Sequence, residues 1–464
     1  GLGKWCGSFT TTVRVGKIQG DGGSAGFLVG VHDELDDYRG NLFFGQGLPA
    51  VVTAGGELVL GGKRAKLDAG ADLSDLTLHF EANCGQGKAT VVLTARQSSS
   101  GKRVGTVLSE IDEMLLVGNL ALAHNLPLPP AGATGEKALV AAIAGRAKDA
   151  KLGARFWFND WAVEGEKIGA HADRTFGPIL WSMYTLDETG GRDGYVLKMT
   201  AQMPPVGADD SQTVRLETRD GEGWKKIAEA RIDPDARTAT FRAANWAGEK
   251  DVPYRLAYTQ KFKGADAVEA YWTGTVRKDP AGSRPLKVAK FTCQYYQGYP
   301  YAPLVSNVAK VDPDMMVFSG DQIYEPNGGF GIIREPAELA ILNYLRKWYL
   351  FGWAFGDLMR DRPTVCIPDD HDVFHGNLWG EGGKAMAAGG NTSTAGGYIE
   401  PPSMVNVVHR TNTAHLPDPA DPTPCLQGIS VYSCDMVYGR TSFAIVADRQ
   451  FKSGPEHVDT GGGR

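Results

Sequence analysis

The feature that most constrains this chain is a change of pattern near residue 280. Before it, short apolar or alternating runs are set between Gly, Asp and Asn: Ala25–His32, Leu76–Ala82, Ala89–Ala95 and Leu115–Leu120 in the first part, then Val196–Met199, Val214–Glu217, Ala239–Arg242 and Tyr254–Tyr258. Runs of this length with period-2 alternation predict antiparallel strands, and the 60 glycines supply the turns between them. Lys278-Asp279-Pro280-Ala281-Gly282-Ser283-Arg284-Pro285 breaks that pattern. Beyond it strands and helices alternate: a strand over Lys287–Thr292, a helix over Tyr301–Lys310, a buried strand over Met315–Ser319, a helical stretch within Glu335–Asp361 and a buried strand over Thr364–Ile367.

Three domains are expected. Residues 1–176 read as a β-sandwich, interrupted by a loop with a helix at Ala133–Ala150 and closed by the aromatic strand Arg155–Trp161. Its pattern is similar to the concanavalin-like or jelly-roll sandwiches. Residues 177–280 suit an immunoglobulin- or fibronectin-III-like sandwich by length and strand spacing. Residues 286–464 carry the α/β pattern, and there each strand runs directly into polar residues: Cys293-Gln294, Gly320-Asp321 and Asp369-Asp370-His371-Asp372. In an open α/β sheet ligands gather at the carboxyl ends of the strands, so a site is expected where these clusters meet.

The residue types point to metal chemistry. In Gly320-Asp321-Gln322-Ile323-Tyr324, a carboxylate and a phenol three residues apart can converge on one hard cation if the loop curls, and Gly320 permits the sharp turn. The bland alternative is a turn-capping Asp321 and a core-packed Tyr324. Three carboxylates and an imidazole in Asp369–Asp372 repel one another unless a cation or strong hydrogen bonds compensate. Cys293 ends the first strand among Gln294, Tyr295, Tyr296 and Tyr299, whereas Cys366 sits inside an apolar run and reads as a small buried hydrophobe.

Together, Phe291-Thr292-Cys293-Gln294, Gly320-Asp321-Gln322-Ile323-Tyr324 and Asp369-Asp370-His371-Asp372 resemble, in order and spacing, the alkaline phosphatase D family of the calcineurin-like metallophosphoesterase superfamily. Ala447-Asp448-Arg449-Gln450-Phe451 is similar to that family's later Asp-x-Arg-Gln segment, with Ala447 in place of its first Asp. The resemblance covers about residues 286 to 464. It implies hydrolysis of phosphate monoesters or diesters by a metal-activated hydroxide. It also implies ferric iron held by Cys293, Asp321 and Tyr324, with Asp321 bridging to calcium or another divalent metal. Asp370 takes the place of a metal-binding Asn, and His371 contacts the phosphate and assists the leaving group. Thr292 and Asp372 stand where relatives carry Ser and Glu.

The superfamily fold has two similar halves, and the second supplies further His and Asp ligands. The chain stops at Gly461-Gly462-Gly463-Arg464, and His375, His409, His415 and His457 do not offer that pattern, so loop or surface roles are expected for them. The expectation is therefore the first half of the catalytic domain, completed by a C-terminal fragment or second chain.

Composition narrows the rest. The net charge of −6, with no long basic stretch, argues against a nucleic-acid binder acting by phosphate neutralisation. No apolar run of about 18 residues is present to span a membrane. The start at Gly1 would suit a processed, exported protein in the secreted, periplasmic or cell-surface space, and pairs Cys6–Cys84 and Cys425–Cys434 would fit that setting. Asp33, Glu34, Asp36 and Asp37 form either a calcium site or a solvated acidic turn. Trp157–Trp161 is either sandwich core or a sugar-stacking surface, and Asn391-Thr392-Ser393 fits a glycosylation sequon. The rival function is a surface-binding or adhesion protein whose phosphatase-like domain is degenerate. A third reading keeps the metals and makes the substrate a phosphodiester, such as a lipid headgroup or a teichoic acid polymer.

Overall fold

The computed structural model describes residues 6–35, 37–85, 87–142, 153–171, 174–191, 193–262, 265–281, 284–326 and 330–457. The chain divides into two compact units, with the break between Arg174 and Thr175.

The first unit is built from two antiparallel sheets. One has the order Arg155–Gly165, Phe9–Gln19, Leu76–Cys84, Lys88–Gln97, Arg103–Asp112. The other runs Lys63–Lys66, Glu57–Leu60, Gln46–Thr53, Ser24–His32, Asn119–His124, with Ala141–Ala142 beside Gln46–Thr53. Alternation does the work anticipated for it: Val13, Val15, Leu78 and Phe80 from the first sheet meet Phe27, Leu48, Ala50 and Leu58 from the second in one core. Two sheets sharing one core make a β-sandwich. The Cys6–Cys84 disulfide ties the start of the unit to a strand end, its Cα atoms 6.1 Å apart. One expected strand differs. Within Leu115–Leu120 the chain first makes a 3-10 turn over Glu113–Leu116, its Met114 amide held by the Asp112 carboxylate at 2.9 Å, and resumes as a strand only at Asn119.

The aromatic strand is divided rather than buried throughout. Phe156 and Phe158 pack on the core, whereas Trp157 lies under the Arg14 guanidinium and Trp161 is 44% exposed. The Trp161 indole donates to Thr11 Oγ1 at 2.9 Å.

The second unit opens with a further antiparallel pair of sheets: Trp181–Glu188, Tyr195–Gln202, Thr238–Trp246, and Gly223–Arg231, Thr213–Asp220, Val252–Phe262, Ala265–Val276. Then comes a parallel sheet of Val288–Phe291, Met315–Phe318 and Thr364–Cys366, with helices Ala302–Val311, Ala337–Met359 and Pro402–Thr413 and a hairpin of Cys434–Tyr438 with Thr441–Ile445. Its register places Phe291 beside Phe318 and Phe318 beside Cys366, so the three strands end level.

A single core crosses the Lys278–Pro285 linker. Tyr184, Leu197, Phe241 and Tyr254 of the sandwich pack with Met315, Val365, Leu416, Met436 and Tyr438 of the α/β part. The long helix is set into the same interface. Trp348 Nε1 donates to Gln202 Oε1 at 3.0 Å, and a Cβ at Gly352 would lie 2.2 Å from the Trp181 ring. A mid-helix glycine costs about 1 kcal/mol relative to Ala, and here it permits the close packing of helix on tryptophan. Among the described residues no helix is long and apolar enough to cross a membrane.

Candidate metal centre

Each parallel strand hands its last residue to a polar loop, and the three loops converge. The Cys293 amide donates to the Gly320 carbonyl at 3.2 Å and the Gln294 amide to the Asp321 carbonyl at 2.7 Å, lacing the first loop to the second. Cys293 and Asp321 both take left-handed backbone conformations, with φ of 60° and 56°. Such conformations cost of order 1 kcal/mol for non-glycine residues and cluster at functional sites. Gly320, at φ 103°, lets the third loop approach, since a Cβ there would sit 2.2 Å from Asp369 Cβ.

Asp372 locks the second loop to the third. It is wholly buried, and its carboxylate accepts from the amides of Asp321 (2.8 Å), Gln322 (3.0 Å), Ile323 (3.3 Å) and Asp369 (2.8 Å). Burial raises its pKa well above the carboxylate range, against the pull of the amide donors. A carboxylate so enclosed organises the loops and has little left to offer a ligand. Gln322 reinforces the join, its Nε2 donating to Ile367 O and to Asn412 Oδ1, both at 2.9 Å.

Asp321 stands between two sets of donors. On one side its Oδ2 accepts from Cys293 Sγ at 3.4 Å and from Tyr324 Oη at 3.1 Å. On the other, one ligand atom each of Asp321, Asp369 and Asp370 lie within 4.8 Å of one another. Asp321 Oδ1 is buried without a hydrogen-bond partner among the described residues. Burial and then the neighbouring Asp370 raise the Asp321 pKa, and the same two causes lift Asp369 to about 6. Burial pushes the Tyr324 phenol far up as well. Acids held this close favour either protons or a cation. Thiol, phenol and carboxylate on one flank suit a transition metal, and carboxylates on the other suit a hard cation such as calcium. The residues present therefore fit the metals that the motifs imply.

Compared with known proteins, the chain matches no family model and no curated sequence.

His371 completes the group through a residue that the sequence reading passed over. Its Nδ1 lies 2.7 Å from Glu325 Oε2, and its ring packs on Tyr324 with centroids 4.4 Å apart. The hydrogen bond to Glu325 is the main cause that lifts the His371 pKa to about 9. Glu325 directly follows the Gly-Asp-x-x-Tyr run, and an acid at the mouth of an acidic loop was the available signal. Asp369 belongs to the sequence cluster but not to the ligand set that the resemblance implies, and Arg449 belongs only to a motif. Arg449 Nε lies 2.8 Å from Asp369 Oδ1 and Arg449 Nη1 donates to Asn377 Oδ1 at 2.7 Å, so it competes with a cation for Asp369.

The remaining candidates lie elsewhere. Cys366 is buried in its strand, in keeping with its apolar setting. Cys425 and Cys434 are not bridged: Cys425 Sγ faces the Ile429 carbonyl at 3.3 Å and Gln450 Nε2 at 3.0 Å, and Cys434 is buried in the hairpin. Of the histidines expected in loops or at the surface, His375 and His415 do lie in loops and His409 lies in the Pro402–Thr413 helix, and all three are buried. His375 receives the Ile399 amide at 3.2 Å, while His409 and His415 bind the carbonyls of Ser430 and Thr364, both at 2.9 Å. The His457 side chain and Asp36 lie outside the described residues. Asp37 pairs with Arg39 at 3.1 Å and Asp33 holds the Leu35 amide at 2.7 Å, so both brace a turn. Asn391 is exposed, its side chain accepting from the Ser393 amide at 2.9 Å.

Proposed function

We propose that the second unit is a metal-dependent phosphoesterase domain of the alkaline phosphatase D type, acting on phosphate monoesters or diesters. The observation that carries this reading is the Asp321 carboxylate, set between the Cys293–Tyr324 pair and the Asp369–Asp370 pair, with one oxygen buried and without a partner among the described residues. Cys293, Asp321 and Tyr324 would hold iron, and Asp321, Asp369 and Asp370 calcium or another divalent cation. Cations there supply Lewis acidity toward the phosphate ester and the attacking water. Paired with Glu325, His371 is held as an imidazolium: its Nδ1–H donates to Glu325, and its Nε2–H would bind the phosphate and pass its proton to the departing alkoxide, leaving the neutral ring. Arg449 offers a second positive group beside the acids, 4.0 Å from Asp370.

The same proposal includes a polypeptide that completes the α/β part. Val288–Phe291 pairs with a neighbour on one side only among the described strands, and Val288 and Val311 are 44% and 61% exposed. The Cys6–Cys84 bridge supports an exported location. Elemental analysis and intact mass of the purified protein, with hydrolysis of a monoester and a diester, test these statements together. Bound iron with a divalent metal and turnover of either ester is the expected result. A metal-free protein that turns over neither ester rules the reading out.

A further inference from the structure

Away from the metal centre, the second unit contains a cavity of about 450 Å³ between the sandwich strands and the Pro402–Thr413 helix, sharing no lining residue with the centre. That volume suits a small metabolite, whose sites generally span about 300–1,000 Å³. Its lining includes Lys198, Thr240, His409, Arg410, Thr413 and Tyr432, and no carboxylate among the described residues.

Three side chains that line that space have unused hydrogen-bonding capacity. Lys198 gives one of its three donors to Asp418, at 2.9 Å. Asp418 is 57% exposed and is shared with Arg242, so it holds Lys198 from the solvent side. Arg410 pairs with Asp233 through Nε at 3.1 Å, and its terminal nitrogens have no partner among the described residues. His409 is 3% exposed, and its Nδ1 lies 2.9 Å from the Ser430 carbonyl. A carbonyl only accepts, so Nδ1 carries the proton and Nε2 of the neutral ring is an acceptor. Burial holds the ring neutral, with its pKa near 4. Nε2 has no hydrogen-bond partner among the described residues.

Lys198 and Arg410 keep donors beyond their ion pairs that a negative group can take, and the His409 Nε2 acceptor can take a hydroxyl. We propose that this cavity binds a hydroxylated organic anion, its acid group held by Lys198 and Arg410 and one hydroxyl donated to His409 Nε2. A carboxylate and a phosphate both fit, since the same donors serve both. Pro417, Pro419 and Val431 form an apolar wall for the carbon frame.

The test uses the full chain carrying Asp321→Asn, so that a phosphate ester is not consumed at the metal centre. D-gluconate and glycerol 3-phosphate are titrated by calorimetry. The expected result is one saturable site for at least one of them, weakened about tenfold or more by Arg410→Gln and by Lys198→Gln separately. Propionate, an anion without hydroxyls, and glucose, hydroxylated but uncharged, should each bind at least about tenfold more weakly. These two controls need no further substitution, so the proposal stays open to refutation if a variant misfolds. Saturation by neither probe overturns it. So does binding that is indifferent to both substitutions, or propionate or glucose binding as tightly as the hydroxylated anions.

Discussion

The two units differ most in where they put charge. In the first, ion pairs such as Arg14–Asp75 (2.9 Å), Arg39–Asp37 (3.1 Å) and Arg64–Glu57 (3.3 Å) keep partial contact with solvent. The core behind them is aliphatic and aromatic. In the second, ionisable groups go inside: Asp321, Asp370, Asp372, Lys347, Glu400 and three histidines are all buried. Burial brings Lys347 down and Glu400 up, each to about 7. Removing a charge from water costs several kcal/mol unless it is paired or neutralised. Buried ionisable groups of this kind are what the phosphoesterase proposed for the second unit would need, and the first unit has few of them.

The comparison can be broken at its strongest point. Asp321→Asn should abolish metal retention and lower phosphoesterase turnover by about a thousandfold or more, the several kcal/mol that a metal supplies to charge stabilisation. Amide exchange of Leu76–Cys84 should not change. Retained turnover in this variant would remove Asp321 from the centre. The reverse experiment opens the disulfide. Replacing Cys6 and Cys84 by Ser frees a loop with a sequence separation of 78 residues, and the chain-entropy estimate is a loss of about 4.5 kcal/mol. Denaturant titration read by exchange in Leu76–Cys84 should show that loss, with metal content and turnover unchanged.

His371→Ala should lower kcat about a hundredfold while leaving metal content intact, as expected for a group that moves a proton rather than holds a cation. Loss of metal in that variant would recast His371 as a ligand. The smallest effect is graded by pH. His409 and His415 are buried neutral, with pKa values lowered by desolvation to about 4 and about 3. The unfolded chain protonates them near 6.5 and the folded chain resists, so their stabilisation is present above that pH and is lost as pH falls toward 4. Each contributes at most about 1.4 kcal/mol per pH unit. Thermal melts between pH 7 and 4, followed by exchange in the Pro402–Thr413 helix, should show the decline. A flat profile there would mean that the histidines are not buried as described.

Much of this was legible in the residues. Alternation in Leu76–Ala82 or Tyr254–Tyr258 determines strands because a half-buried sheet needs apolar side chains on one face only. The clusters after Phe291, Phe318 and Cys366 follow buried strands directly, so their convergence needed only that the strands be parallel and level. Cys366, within an apolar run, was readable as inert for the same local reason.

Spacing could not show which acids of Asp369–Asp372 gather with Asp321 and which turns inward. Asp372 became the loop clamp because four amides point at it, and those amides are oriented by the left-handed turn at Asp321 and the close approach at Gly320. The Glu325–His371 pair spans 46 residues and exists only once two loops meet. The core that runs across Lys278–Pro285 was hidden because a Pro- and Gly-bearing linker reads as a boundary whether or not apolar faces meet behind it. Local pattern therefore determined the strands and which polar residues stand at their ends. Tertiary structure decided the partners, because hydrogen bonds and ion pairs between distant loops depend on ångström-scale placement that no run of residues encodes by itself.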